Sequence, residues 1–211
     1  MNIILLGGPG TGKSTQSEIL KERFGMKTVS TGNLIREAIR KKTPVGLMAK
    51  NCIEHGQFVP DEVVINIIKE RVLQSDCKNG FVLDGFPRNI AQAKALEDMG
   101  IHIDGIFHIV VDPEVLIERL GGRLTCPECG ASYHTVDKPS SLGDHCEKCG
   151  TKLQVRADDD AQTVVKRMEI YEKETYPLVE YYSKNPNFVE LDGTKTIEQV
   201  SEDIKNSLEA F

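Results

Sequence analysis

The run Gly7-Gly8-Pro9-Gly10-Thr11-Gly12-Lys13-Ser14-Thr15 satisfies the pattern G-x-x-x-x-G-K-[ST]. Glycines in such a loop let backbone N–H groups approach phosphate oxygens without interference from Cβ, and a helix that follows turns its unpaired donors and positive dipole end on the same anion. Lys13 supplies a mobile cation, and Ser14 or Thr15 a hydroxyl near a metal. Ile3-Ile4-Leu5-Leu6 before the loop and a helical segment after it are the context the motif requires. The chemistry is that of gripping a polyphosphate, and the loop alone leaves the second reactant open.

A second constellation is metal-binding. Cys126-Pro127-Glu128-Cys129 and Cys146-Glu147-Lys148-Cys149, sixteen residues apart, fit the C-x2-C-x15–20-C-x2-C spacing of a tetrahedral zinc site. Gly130 and Gly150 follow the pairs, as expected of tight turns whose N–H groups point at thiolate sulfur. Four thiolates leave no open coordination position, so the expected role is structural, with one zinc per chain. In an intracellular setting this pattern favours metal over disulfides. Nearby His134 and His145 read as ordinary polar residues, and Cys52 and Cys77 stand apart.

The elements that must position these groups follow from hydrophobic patterning. Apolar runs at 3–6, 28–30, 81–84, 106–111 and 188–191 read as buried strands. Between them, 13–24, 33–41, 61–74, 90–99, 113–120, 160–184 and 197–208 read as helices. Boundary signals include Asp112-Pro113 and Thr196 at starts and Gly25 and Gly100 after ends. The alternation predicts an α/β fold, a parallel five-stranded sheet flanked by helices. Asp84 falls at the C-terminal edge of its strand, where open α/β sheets bind ligands. There it suits hydrated Mg²⁺ beside phosphate, the alternative being a cap on the next turn. Residues 122–157 break the rhythm, being rich in Cys, Gly, Pro, Ser and Asp with no room for a large apolar core.

The 211 residues are 39% hydrophobic and 27% charged, an ordinary globular composition. No apolar stretch is long enough to span a bilayer, and the N-terminal run reads as a strand, so no membrane and a cytoplasmic location are expected. A net charge of −6 argues against a nucleic-acid partner.

Further motifs narrow the second reactant. Ser30-Thr31-Gly32-Asn33-Leu34-Ile35-Arg36, Gly56-Gln57-Phe58-Val59-Pro60-Asp61, Asp84-Gly85-Phe86-Pro87-Arg88 with Gln92, and Arg156-Ala157-Asp158-Asp159 with Arg167 resemble the adenylate kinase family in order and spacing. Together they cover nearly the whole chain, and the cysteine-bearing insertion looks like the lid of the long, zinc-containing members. The resemblance implies a P-loop NTPase-type core of residues 1–29, 60–121 and 160–211, an AMP-binding arm of 30–59 and a zinc-binding lid of 122–159. It implies that Thr31, Arg36, Gln57, Phe58, Val59, Gly85, Phe86, Pro87, Arg88 and Gln92 receive AMP. Gly10, Thr11, Gly12, Lys13, Ser14, Thr15, Arg119, Arg123, Ser132, Tyr133 and Lys195 would receive ATP with Mg²⁺. Arg119, Arg156 and Arg167 would help hold the phosphates, and Lys13, Asp84, Arg88, Arg123, Arg156 and Arg167 would carry catalysis.

Guanidinium forks suit that work, since they donate bidentate bonds to phosphate and stay charged at any working pH. Arg119 is also consistent with a charged helix end, four residues before Arg123. Two positions depart from the family pattern: Ser14 stands where Gly is usual and Asn33 where Asp is common. The implied reaction is reversible phosphoryl transfer from ATP to AMP giving ADP, by a monomer. A kinase for UMP or CMP is the alternative enzyme, and a zinc-ribbon nucleic-acid module on an NTPase is the alternative from another class, disfavoured by the acidic balance and by Tyr133 being the only aromatic in the ribbon.

Overall fold

The computed structural model describes residues 1–55 and 57–211, so Gly56, which opens the second motif above, lies outside the described residues. In chain order the elements are β1 (Asn2–Leu6), α1 (Lys13–Phe24), β2 (Lys27–Ser30), α2 (Thr31–Arg40), α3 (Pro44–Glu54) and α4 (Asp61–Val72). They continue with β3 (Phe81–Asp84), α5 (Ile90–Asp98), β4 (Gly105–Val110), α6 (Pro113–Gly121), β5 (Arg123–Thr125) and β6 (Ser132–His134). The chain ends with α7 (Ala161–Ile170), α8 (Pro177–Tyr182), β7 (Phe188–Asp192) and α9 (Ile197–Ala210).

The main sheet has the order β2-β3-β1-β4-β7, and every pairing is parallel. Its central strands lack polar alternation because both faces are covered. Ile4, Leu6, Leu83 and Ile106 enter one apolar cluster, and Ile3, Leu5, Val82 and Phe107 the other. Parallel strands bring all their C-terminal ends to one edge, and the register sets Leu5 and Ser30 opposite Asp84. The expected strands and sheet class are therefore found. No helix of the described residues is long and apolar enough to cross a membrane.

Two differences from the sequence reading have physical causes. Helix α3 was not expected, although Thr43 Oγ1 accepts from Gly46 N at 3.1 Å and Pro44 opens the first turn. Its apolar signal is blurred because Leu47 and Met48 face outward. It reaches α2 closely because Gly46 lies against the Ala38 backbone, where any Cβ would collide. The single helix expected over 160–184 is instead interrupted. Pro177 has no N–H to donate, and its ring crowds the carbonyl four residues back. The chain answers with a widened turn at Tyr171–Thr175, in which Tyr176 N donates to Tyr171 O at 2.8 Å, and restarts as α8.

Candidate active site and metal centre

The phosphate loop joins β1 to α1. At Gly7 (φ 142°) a Cβ would stand 2.7 Å from the Ile109 carbonyl oxygen, so only glycine lets the chain leave the strand beside β4. Gly12 caps α1 at φ 93° and leaves the helix N-terminus open. Lys13 Nζ lies over the loop and donates to the carbonyls of Gly7 and Gly8, both at 2.7 Å. Burial lowers its pKa to about 8, with Arg88, Arg167 and Arg123 adding to the drop and Asp84 opposing it. Ser14 Oγ donates to Asp84 Oδ2 at 2.6 Å, so of the two hydroxyls Ser14 and Thr15 it is Ser14 that meets the carboxylate.

One cavity of about 590 Å³ gathers most of the expected site. Residues 10–15 form its floor, with Asp84, Gly85, Pro87 and Arg88 beside them. Arg36, Gln57 and Phe58 come from the α2–α3 side, Arg119 from α6, Arg123, Ser132, Tyr133 and Arg156 from the cysteine-bearing segment after it, and Arg167 from α7. A small adjoining hollow is lined by Thr31, Val59 and Gln92 together with Gln57, Phe58 and Arg88. Thr31 Oγ1 is buried there without a hydrogen-bond partner among the described residues.

Several expected residues sit where their side chains do other work. Phe86 is fully buried in the core and lines neither space. Gln92 holds the backbone, its Oε1 accepting from Arg88 N at 2.8 Å and its Nε2 donating to Asp61 at 2.7 Å. Tyr133 packs inside the small cysteine-bearing unit, where its hydroxyl accepts from Glu147 N at 2.9 Å. Lys195 borders the cavity, but its ammonium pairs with Asp203 at 2.7 Å. Arg119 donates to the Gly193 carbonyl at 2.8 Å and so ties α6 to that same rim.

The arginines crowd one another. Burial, and then repulsion from Arg156, lowers the Arg36 pKa to about 9. Burial followed by Arg167 lowers Arg88 to about 10, and burial followed by Arg156 lowers Arg123 to about 10. Two adjacent carboxylates hold part of this charge. Arg123 Nε donates to Asp159 Oδ2 at 2.8 Å, and Arg156 Nε to Asp158 Oδ1 at 2.8 Å. Arg167 Nη1 donates to Asp159 Oδ1 at 2.9 Å and to the Asp158 carbonyl at 2.8 Å. Arg36 Nη2 donates to Asn33 Oδ1 at 2.6 Å, which gives the departure at position 33 a local role. Sequence reasoning placed Asp158 and Asp159 in a motif without assigning them a function. Two acids set between arginines inside Arg156-Ala157-Asp158-Asp159 were the available signal. It also missed Thr175, whose hydroxyl donates from the widened turn to the Arg88 carbonyl at 2.8 Å.

The four cysteines converge as expected. Their sulfurs all lie within 4.8 Å of one another, with Cys126–Cys149 at 3.4 Å and Cys129–Cys146 at 3.5 Å. Sulfurs bonded at about 2.3 Å to one tetrahedral ion stand about 3.8 Å apart, so the set has the dimensions of a metal site. The expected tight turns are present: Gly130 N donates to Cys126 O at 3.0 Å and Gly150 N to Cys146 O at 2.8 Å. Each turn closes through that carbonyl, and it is Cys129 N that faces a sulfur, Cys126 Sγ at 3.5 Å. Among the described residues only Ala131, Tyr133, Leu153 and Leu124 add apolar packing around the cysteines. His134 Nδ1 accepts from Val136 N and Asp137 N at 3.2 and 3.0 Å, and His145 lies beside Asp144, so neither joins the sulfurs.

This unit touches both of its neighbours. Arg40 Nη1 at the end of α2 donates to the carbonyl and to Oε2 of Glu128, each at 2.8 Å. Gly130 packs on the Asn33 side chain, and Lys148 pairs with Glu18 of α1.

The Asp158 carboxyl links the site to stability. Burial alone would raise its pKa, but Arg156, with Arg167 and Arg123, holds it well below the usual carboxylate range. A carboxyl lowered in the folded state stabilises fully above its unfolded pKa of about 3.9, and that stability is lost as pH falls toward the folded value. Asp158→Asn should therefore cost on the order of 3 kcal/mol at pH 7 by urea unfolding. The gap from the parent should narrow steadily below about pH 4, and a gap that stays constant into acid would contradict the assignment.

Comparison with known proteins bears on this arrangement as a whole. The family model described as adenylate kinase matches residues 5–187. A protein named adenylate kinase from Thermoanaerobacter sp. (strain X514) is 47% identical over 99% of this chain and 98% of its own length. The adenylate kinase of Carboxydothermus hydrogenoformans (strain ATCC BAA-161 / DSM 6008 / Z-2901) is 46% identical over 99% of this chain and 100% of its own. That of Bacillus pumilus (strain SAFR-032) is 47% identical over 99% and 98%. With a family model spanning most of its length and relatives aligned almost end to end, this chain belongs to the adenylate kinase family.

Proposed function

We propose that this chain catalyses reversible transfer of the γ-phosphoryl group of ATP to AMP, giving two ADP. The observation that carries the reading is one cavity in which a phosphate loop faces a cluster of buried arginines. On this reading ATP lies over residues 10–15, its phosphates gripped by loop N–H groups, Lys13 and Arg123, while Arg119, the 132–133 segment and Lys195 border its other end. AMP lies on the opposite side, its base near Thr31, residues 57–59 and Gln92 and its phosphate on Arg36 and Arg88. Arg156 and Arg167 reach the phosphates between them. Residues 30–59 act as the AMP arm and 122–159 as the lid on a core formed by the rest, working as a cytoplasmic monomer.

Transfer is direct and in line, with no covalent enzyme intermediate. The protein's contribution is alignment and charge stabilisation by preorganised donors, which is what phosphoryl transfer demands. Asp84 and Ser14, joined by a hydrogen bond at the strand edge, would hold hydrated Mg²⁺. Bound there, Mg²⁺ supplies charge neutralisation between the phosphates. The arm and lid meet through Arg40 and Glu128, which favours the exclusion of water as a competing acceptor. The sulfur cluster suits Zn²⁺, which four thiolates hold as a structural staple for a unit with little apolar packing of its own.

A coupled assay should detect ADP from ATP, Mg²⁺ and AMP, with UMP and CMP much poorer acceptors; no ADP from AMP would defeat the reading. Because Lys13 titrates at about 8 and is needed as a cation, kcat/KM for ATP should fall as pH rises through that value. The same limb should be missing from kcat at saturating nucleotide, since bound phosphate holds the proton. Metal analysis in reducing buffer should find one zinc per chain, and Cys146→Ser should remove it; a metal-free parent would overturn the staple.

A further inference from the structure

Phe58 stands in the wall between the large cavity and the small hollow, with Arg88 beside it. The Arg88 guanidinium lies over the Phe58 ring, 5.0 Å from its centroid, well inside the reach of a cation–π contact. Arg88 differs from the other buried arginines in how its charge is held. Arg123, Arg156 and Arg167 each donate to Asp158 or Asp159, and Arg36 donates to Asn33. Among the described residues Arg88 has no carboxylate within 4 Å, and of its side-chain nitrogens only Nε donates, to the Gly85 carbonyl at 2.9 Å.

Its backbone, in contrast, is fixed at both ends. The N–H donates to Gln92 and the carbonyl accepts from Thr175, both at 2.8 Å. Two Nη groups on a firmly held arginine are thus free of protein acceptors while the cation stays buried. The geometry of a guanidinium explains why a ring suits this position. Its N–H donors lie in the plane, so a carboxylate that neutralised the charge would occupy the fork that an anion must use. A ring face attracts the cation from above the plane and leaves the fork available.

We propose that Phe58 is a positioning residue: its ring face steadies the Arg88 cation in the way the aspartates steady the other arginines, and so keeps both Nη groups presented to a phosphomonoester. This rests on the assignment of AMP to the Arg88 side of the cavity. It assigns the Phe58 side chain a task separate from lining the base pocket.

Kinetics of Phe58→Leu and Phe58→Tyr test the idea, alongside a series in which position 58 carries phenylalanine with one, two and three ring fluorines. Leucine keeps an apolar wall but removes the π face, so kcat/KM for AMP should fall roughly fivefold to thirtyfold. KM for ATP should stay near the parent value, and Phe58→Tyr should retain most of the activity. Each added fluorine drains the ring face without changing its shape appreciably, so log(kcat/KM) for AMP should fall in steps. Inhibition by adenosine, which lacks the phosphate, should change less across the series than kcat/KM for AMP does. A flat fluorine series, a Leu variant equal to the parent, or an equal loss for adenosine and AMP would each overturn the proposal. The parent assay is read first: a parent that makes no ADP from AMP defeats the functional reading, whereas an active parent with a flat series defeats only the role of the ring.

Discussion

Lys13, Arg36, Arg88, Arg123, Arg156 and Arg167 share one cavity, and the repulsion among them is the constraint to which the surrounding structure answers. Burying like charges is costly unless each is met by a partner or a counter-ion. The chain meets them with different devices. Asp158 and Asp159 sit under three arginines, Asn33 caps a fourth, and carbonyls of the phosphate loop take the lysine. Burial, with repulsion added, still lowers Lys13, Arg36 and Arg88, whereas Arg156, despite its burial, is held above its ordinary value by Asp158. A cavity left with excess positive charge is preorganised for a polyanion, and most of the cost of gathering that charge is met by folding before any ligand arrives.

The sheet makes this gathering possible because all five strands run the same way. Their C-terminal ends deliver the loop after β1, Asp84 at the end of β3 and the 193–196 rim after β7 to one edge. The widened turn ahead of Pro177 serves the same end, since it brings Thr175 to the Arg88 carbonyl. A helix running straight through that region, as the apolar period alone predicts, has no need of the extra residue. Proline chemistry explains the break, and the site makes use of it.

What could be read from the sequence follows from how local the signal was. The phosphate loop and the cysteine pairs are short motifs with their own mechanics, and the strands announce themselves by unbroken apolar runs. Asp84 was legible because its place at a strand end is a statement about chain order. Helix α3 was not, because a helix with apolar residues on its outer face loses the period that would reveal it. The pairing of Asp158 with Arg156 and of Asp159 with Arg123, like the stacking of Phe58 on Arg88, depends on side-chain geometry that spacing does not encode. Tyr133 shows the converse: a residue expected from the resemblance to meet a ligand has its side chain committed to the packing of its own unit.

The contacts that the cysteine-bearing unit makes with α1 and α2 differ in kind from those among the buried arginines and aspartates. Arg40 with Glu128, and Lys148 with Glu18, are largely exposed pairs, whereas Asp159 is completely enclosed beneath Arg123 and Arg167. Mobile ions screen charges in contact with solvent over a distance of about 8 Å at physiological salt, and reach enclosed pairs far less. Added electrolyte therefore weakens the pairs that tie the cysteine-bearing unit to α1 and α2 while leaving the enclosed pairs intact, so the surrounding medium acts on how firmly that unit is held and not on the buried charges.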